Sequence, residues 1–407
     1  QVNVGFLFVR NNREKSRFFY MKMEGGGEMR SCGIVVEYNP FHNGHRYHAK
    51  KARELSGADI VVAVMSGNFL QRGEPAIIDK WARAQAALEN GVDLVVELPF
   101  AWAVQSADYF AKGSIKLLQA LNCDALCFGT DSDASFNYEE YGRFFIEEKK
   151  AIDQLFHELP IGWSYPEKMA EVVSQLYPAA QAFPPNHILG LSYAKENALY
   201  PRPMEIFPLP RVDQGYHDED LIHDQFASAT GIRRGVLAGE DVSAFVPSQT
   251  LVELQQQPLS WADFWPYLNY QLRASSLEQL QGIYQMKEGL EHRLTEQMAE
   301  SFSEYLGKIS TKRYTQPRLQ RLLTYVLLQV KEAEIQAEQK KTLLHVLGFT
   351  ENGQAYLNQK KKQFALPLAA KIGQKEKAQH LLTYRADQIY QLVHPQEQNI
   401  GRFPIQV

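Results

Sequence analysis

Cysteine is scarce in this chain, three residues in 407. So few thiols in so long a chain exclude a disulfide-stapled scaffold and point to the reducing cytoplasm. Long apolar runs are missing too. The longest aliphatic stretches, Ile60–Met65 and Leu94–Val96, fall far short of the roughly 20 residues a membrane-spanning helix needs. Charge of one sign is also lacking: the formal net charge is −4, which taken alone argues against a polyanionic partner. What is present is ordinary globular material, 45% hydrophobic and 22% charged, long enough for two domains rather than one.

The first 28 residues read differently from the rest. Val2–Val9 is apolar, then come Arg10, Arg13, Lys15 and Arg17, and then Gly25-Gly26-Gly27. A secretory signal places its cations before the apolar run, so this order is the wrong one. Residues 1–28 are expected to be a leader outside the core fold, with Met29 as the natural start.

From Ser31 onward, β-branched apolar runs (Cys32–Glu37, Asp59–Met65, Val92–Leu98, Ala125–Phe128, Met204–Leu209) alternate with helical periodicity (Tyr47–Leu55, Trp81–Asn90, Ala107–Leu121, Tyr138–Phe156, Ile188–Ala198). Short, unbroken apolar strands separated by helices predict an α/β fold, a Rossmann-like parallel sheet covered on both faces. Its active site should lie at the carboxyl ends of the strands. After about residue 240 strand signals vanish, Gln and Leu become frequent, and helical stretches such as Leu277–Leu306, Pro317–Glu338 and Glu376–Leu392 dominate. The expected division is a catalytic domain over 29–240 and an all-helical domain over 241–407.

Charge divides along the same line. From Ser301 to Ala386 there are 15 Lys and Arg against 6 Asp and Glu. Such a run is either a solvated face or a means of holding nucleic acid by its phosphates. Within it Lys312, Arg313, Arg318 and Arg321 are the candidate RNA-binding cations.

The strand Cys32–Glu37 runs into Tyr38-Asn39-Pro40-Phe41-His42-Asn43-Gly44-His45 and then into a helical pattern. Pro40 disfavours helical geometry at Asn39, so the turn falls there. His42 and His45 are then three apart around the first helical turn. Unpaired N–H groups and the positive helix end favour a phosphate at this place. Two imidazoles add donors that follow negative charge as it moves, which is the logic of a nucleotidyl-transfer site. His48 extends the three-residue spacing and raises a metal reading, but no Cys or carboxylate pattern completes a ligand set, and no metal site is assigned.

His42-Asn43-Gly44-His45 resembles the HxGH motif of nucleotidyltransferases related to class I aminoacyl-tRNA synthetases. Phe226-Ala227-Ser228-Ala229-Thr230-Gly231-Ile232-Arg233 is similar to the second signature of that superfamily, with Ala229 in place of a usual serine. In this likeness Ser228 and Thr230 offer hydroxyls and a helix N-cap, and Arg233 a fork for the β- and γ-phosphates. More specifically, Gly33–His45, Met65–Ala76, Val95–Pro99, Phe128-Gly129, Pro185–Gly190, Pro210-Arg211 and Lys312–Thr315 resemble segments of the tRNA(Met) cytidine acetate ligase family. The likeness runs from Met29 into the helical half.

The resemblance implies an enzyme that activates acetate with ATP, forming acetyl-adenylate. The acetyl group then passes to the exocyclic amine of the wobble cytidine in elongator tRNA(Met). It implies that Val35, Val36, Glu37, Tyr38, Asn39, Pro40, Phe41, Asn43, Gly44 and His48 line an ATP cradle around the catalytic His42 and His45, with Gly129, Asn186 and Arg211 completing it. Mg²⁺ is expected to accompany the triphosphate. Arg72, Glu74, Asp79 and Lys80 form a polar cluster after the second strand, expected to close over the acetate. Two other classes share the first motif: a small-molecule adenylyltransferase, which has no need of a basic helical domain, and a non-catalytic nucleotide-responsive RNA-binding protein.

Overall fold

Strands form where the apolar runs lie. The computed structural model describes residues 28–131, 136–163, 165–177, 185–210 and 227–407, so residues 1–27 of the expected leader lie outside the described residues. Glu28 is already tied to the fold by an ion pair with Lys360. The five expected strands are β1 (Ser31–Val36), β2 (Ile60–Ser66), β3 (Leu94–Leu98), β4 (Ala125–Thr130) and β5 (Glu205–Pro210). They lie in the order β5-β4-β1-β2-β3, each parallel to its neighbour.

Every residue of β2 is buried, because the sheet has a core on each face. Ile60, Val62 and Val64 join Ile115 and Leu118 of the Ala107–Ala120 helix in one core. Their alternates Val61, Ala63 and Met65 join Ala49 and Ala52 of the Asn43–Ser56 helix and Trp81 of the Lys80–Glu89 helix in the other. This is the period-two division a strand imposes. β1 pairs with both β2 and β4, so the strand order reverses direction there. A crevice at the carboxyl ends of β1 and β4 is the consequence.

The chain after residue 240 is mostly helical, yet it is not strand-free as the sequence suggested. β6 (Leu344–Phe349) pairs antiparallel with β3, and β7 (Leu368–Ala369) and β8 (Ile405–Gln406) pair parallel with β6. Without β6, β3 would be an unpaired sheet edge, a template for unwanted pairing. A run this short, apolar but for His345, does not distinguish a strand from a buried helical segment.

The helices of this half share a core with the loops beyond β2 and β3. Trp261 stacks on Phe302 with ring centroids 4.4 Å apart. Phe69, which follows β2, packs edge-on to Phe264 at 5.8 Å and to Tyr390 at 6.3 Å. Tyr390 Oη donates to the Ala76 carbonyl at 2.9 Å. The helical half is thus set against loops at the carboxyl end of the sheet. No helix among the described residues is long and apolar enough to cross a membrane.

Candidate active site

The turn after β1 is built to present the two histidines. Tyr38 takes φ 53°, a left-handed conformation, and the Asn39–Pro40 bond is cis. The chain then enters the Asn43–Ser56 helix with His42 as its N-cap. The His42 and His45 rings stack with centroids 3.7 Å apart and 22° between planes. Tyr38 packs edge-on to His45 at 4.8 Å and to Phe41 at 4.7 Å. The His42 amide donates to His45 Nδ1 at 3.2 Å. With Nδ1 accepting, the neutral ring carries its hydrogen on Nε2, a donor at the helix N-terminus.

The other side chains of the turn brace it. Asn39 Oδ1 accepts from the Ile77 amide at 2.8 Å, and Asn43 Nδ2 donates to the Ala244 carbonyl at 2.9 Å. Glu37 Oε1 accepts from the Gln71 amide at 2.7 Å, and burial raises the pKa of its carboxyl. Arg83, fully buried, donates to the carbonyls of Glu37 at 2.6 Å, Ser66 at 3.0 Å and Gly67 at 2.6 Å. One guanidinium fork thereby ties together the carboxyl ends of β1 and β2. Its only signal in the sequence is an arginine within the alanine-rich Trp81–Leu88 segment.

The second signature meets the first. Ser228 caps the Ala229–Leu237 helix, its Oγ accepting from the Gly231 amide at 3.0 Å. Arg233 reaches back to donate to the Asn39 carbonyl at 2.8 Å, with Glu74 and Thr230 Oγ1 each 3.3 Å from its other nitrogen. Residues 194 apart in the chain are therefore joined at the cradle.

Across the crevice, Gly129 is the single exposed residue of β4. Asn186 falls in the first turn of the Pro185–Ala198 helix; Arg211 lies outside the described residues. A buried polar chain links these two elements. Thr130 Oγ1 is 2.5 Å from Tyr138 Oη, which is 2.8 Å from His187 Nδ1. Thr130, Tyr138 and His187 were not among the expected site residues, although His187 adjoins Asn186 in a matched segment. His48 lies on the helix face near β4. Its Nε2 is buried with no hydrogen-bond partner, and burial pulls its pKa down to about 4, so the ring is neutral.

The polar cluster expected over the acetate is divided. Asp79 caps the Lys80–Glu89 helix and takes hydrogen bonds from His394 and Gln398, both at 3.0 Å. Lys80 is fully buried, bonded to both Glu97 oxygens at 2.8 and 3.0 Å and to Asp387 at 2.6 Å. These two residues belong to an internal ionic network and not to a loop over the substrate. Arg72 stays exposed, and Glu74 faces Arg233. The basic stretch is divided too. Lys312 is exposed, and Arg313 and Arg318 share Glu288 at 3.1 and 3.7 Å, while Arg321 turns inward with a buried Nε.

Comparison with known proteins identifies the family. A profile of the family described as HIGH Nucleotidyl Transferase matches residues 29–402. The tRNA(Met) cytidine acetate ligase of Leuconostoc citreum (strain KM20) is 41% identical over 404 residues, covering 93% of this chain and 97% of that protein. The protein of the same name from Bacillus subtilis (strain 168) is 39% identical over 384 residues, covering 89% and 92%. The crystal structure of Thermotoga maritima TmcAL bound with alpha-thio ATP superposes with a TM-score of 0.82 at 29% identity, covering 93% of this chain and all of that one. The chain belongs to the tRNA(Met) cytidine acetate ligase family of HIGH nucleotidyltransferases, and it is an enzyme of the ligase class.

Proposed function

We propose that the protein uses ATP to activate acetate as acetyl-adenylate and then acetylates the N4 amine of the wobble cytidine of elongator tRNA(Met). The observation that carries this reading is the meeting of the stacked His42–His45 pair with Arg233, whose guanidinium donates to the Asn39 carbonyl at 2.8 Å. Two imidazoles, a helix N-terminus and one permanent cation then share a single turn, where a triphosphate needs them. The relatives' names and the nucleotide analogue in the Thermotoga maritima structure support the same direction.

In the first step an acetate oxygen attacks the α-phosphorus of ATP, and pyrophosphate leaves with the bonding pair. His45 Nε2–H and the His42 ring donate to phosphate oxygens as charge moves onto the leaving group. Arg233 exchanges its contact with Glu74 for the β- and γ-phosphates. Mg²⁺ accompanying the triphosphate would neutralise phosphate charge and would need few ligands from the protein. Val35 to His48 form the cradle, and Gly129, Asn186 and Arg211 hold the nucleoside. In the second step the cytidine N4 attacks the acetyl carbonyl carbon, AMP departs with the C–O pair, and the nitrogen loses one proton. Lys312, Arg313 and Arg318 offer RNA phosphates an exposed basic face.

Incubation with ATP, labelled acetate and total tRNA, followed by digestion to nucleosides, tests this. Labelled N4-acetylcytidine confined to one tRNA is the expected result. Pyrophosphate release that ignores acetate, or label that never reaches RNA, overturns it.

A further inference from the structure

The Gln316–Leu328 helix holds its cations at two depths. Arg318 stays near the surface, where it and Arg313 lie 5.0 and 5.6 Å from the centre of the Tyr314 ring. One turn further on, Arg321 faces the loop that follows β2. That loop approaches the helix as closely as backbone can. At Gly73, φ +81°, a Cβ would come within 2.4 Å of the Arg321 amide nitrogen, so only glycine fits. Thr324 Oγ1 donates to the Gly73 carbonyl at 2.7 Å and fixes the approach.

Arg321 is left without a counter-charge. Its Nε is buried and meets no acceptor, and no carboxylate among the described residues pairs with it. Burial lowers its pKa, and the like charges of Arg318 and Arg72 add to that effect. A guanidinium keeps its proton under such pressure and calls for an anion instead. The nearby phenols do not supply one. Tyr325 Oη donates to the Val104 carbonyl at 2.5 Å, and Tyr284 Oη to Gln105 Oε1 at 3.3 Å.

The same loop joins this place to the cradle. Its Gln71 amide holds Glu37, directly after β1, and its Glu74 faces Arg233. In the other direction the cations continue outward, side-chain exposure rising from 37% at Arg318 to 69% at Arg313. Two guanidinium groups beside one tyrosine ring, leading from solvent to a partly buried cation, are suited to a nucleic-acid backbone with its bases stacked alongside. A lone carboxylate substrate would engage no more than the innermost group.

We infer that Arg72, Arg318 and Arg321 together bind one phosphodiester of the RNA substrate and so seat the acceptor nucleotide at the mouth of the cradle. This rests on reading the protein as a tRNA-modifying ligase. The site differs from the exposed face of Lys312 and Arg313 in lying against the loop after β2, whose backbone packs on the helix at Arg321.

The test is binding of bulk tRNA, followed by fluorescence anisotropy over a salt series, which requires no chemistry. Arg321→Met should weaken binding about tenfold at low salt and reduce the slope of log affinity against log salt by about 1. Its Tm should equal or exceed that of the unsubstituted protein, because a partly buried charge without a counter-ion has gone. Unchanged affinity and slope overturn the inference. So does a raised KM for ATP or acetate in pyrophosphate release with tRNA binding intact. Should Arg321→Met not fold, Arg72→Met on the exposed loop is read in the same way, and an unchanged slope again overturns the site. An unsubstituted protein that fails to bind tRNA removes the tRNA reading itself, whereas normal binding with an indifferent variant removes only this site.

Discussion

The histidine cradle and the Lys80 cluster lie at the carboxyl end of the same sheet, and both draw attention as polar residues beside apolar strands. Their interiors are opposite in kind. Lys80 is closed in by Glu97 and Asp387, His345 Nδ1 lies 2.6 Å from Glu97, and Asn68 donates to Asp387 at 2.8 Å. Each member satisfies another within the core. Burial favours the neutral acid at Asp387, and Lys80 offsets this only in part. In the cradle the histidines are half-buried, and the turn around them is braced largely through backbone amides and carbonyls. A polar cluster closed on itself specifies a fold, whereas one braced from behind presents groups to a ligand.

The sharpest way to break the comparison is to damage the closed cluster. Lys80→Met leaves Glu97 and Asp387 buried without their cation, so unfolding stability should fall by about 3–5 kcal/mol. Urea denaturation measures the loss. The fraction that remains folded should still release pyrophosphate in response to acetate. A stable variant that lacked this activity would move Lys80 into the active site.

Damage to the cradle should show the reverse pattern. His45→Ala should slow acetate-dependent adenylation by roughly 10²- to 10³-fold, the scale for losing one donor to developing charge. Its stability should fall by only about 1 kcal/mol, the scale for losing one capping hydrogen bond at a helix N-terminus. Rapid-quench measurement of adenylate formation reads the effect. A defect confined to tRNA binding would contradict the role given to His45.

The same contrast explains what could be read from the sequence. β1 to β3 were legible because strands covered on both faces leave nearly unbroken runs of β-branched and other apolar residues, and β4 and β5 because they continue the alternation with helices. The histidine turn was legible because its logic is local: strand, proline, two histidines, helix. Lys80 and Asp79 were misread because their partners Asp387, His394 and Gln398 stand more than 300 residues away. A sequence shows charges but not which of them burial will pair. Arg83 and Tyr138 passed unnoticed for the same reason, being ordinary residues whose work is long-range.

Tyr138→Phe tests the cradle's far wall with a smaller perturbation. The ring keeps its packing against Phe128 and Phe136, at 5.0 and 4.8 Å. Only the hydroxyl between Thr130 and His187 is lost. Losing those two buried hydrogen bonds should cost about 1–3 kcal/mol of stability. Because the chain ties Gly129's strand to Asn186's helix, KM for ATP should rise while kcat changes little. A fall in kcat at unchanged KM would place Tyr138 nearer the reacting atoms.

The mildest test concerns His48, a cradle residue whose buried Nε2 resembles a member of the closed cluster except that nothing satisfies it. Burial lowers its folded pKa to about 4, against about 6.5 in an unfolded chain. Between those values the unfolded state binds more protons, so stability rises with pH across the window. The contribution is fully present above the unfolded pKa and is lost as pH falls toward the folded one. Between about pH 7 and pH 5.5 this residue should account for roughly 1 kcal/mol of lost stability. Urea midpoints measured at both pH values for the unsubstituted protein and for His48→Leu read it directly. The variant should show the shallower dependence, since leucine has no proton to gain. Equal slopes would mean that the ring is hydrated, and His48 would then belong with the open cradle in its electrostatics as well as its position.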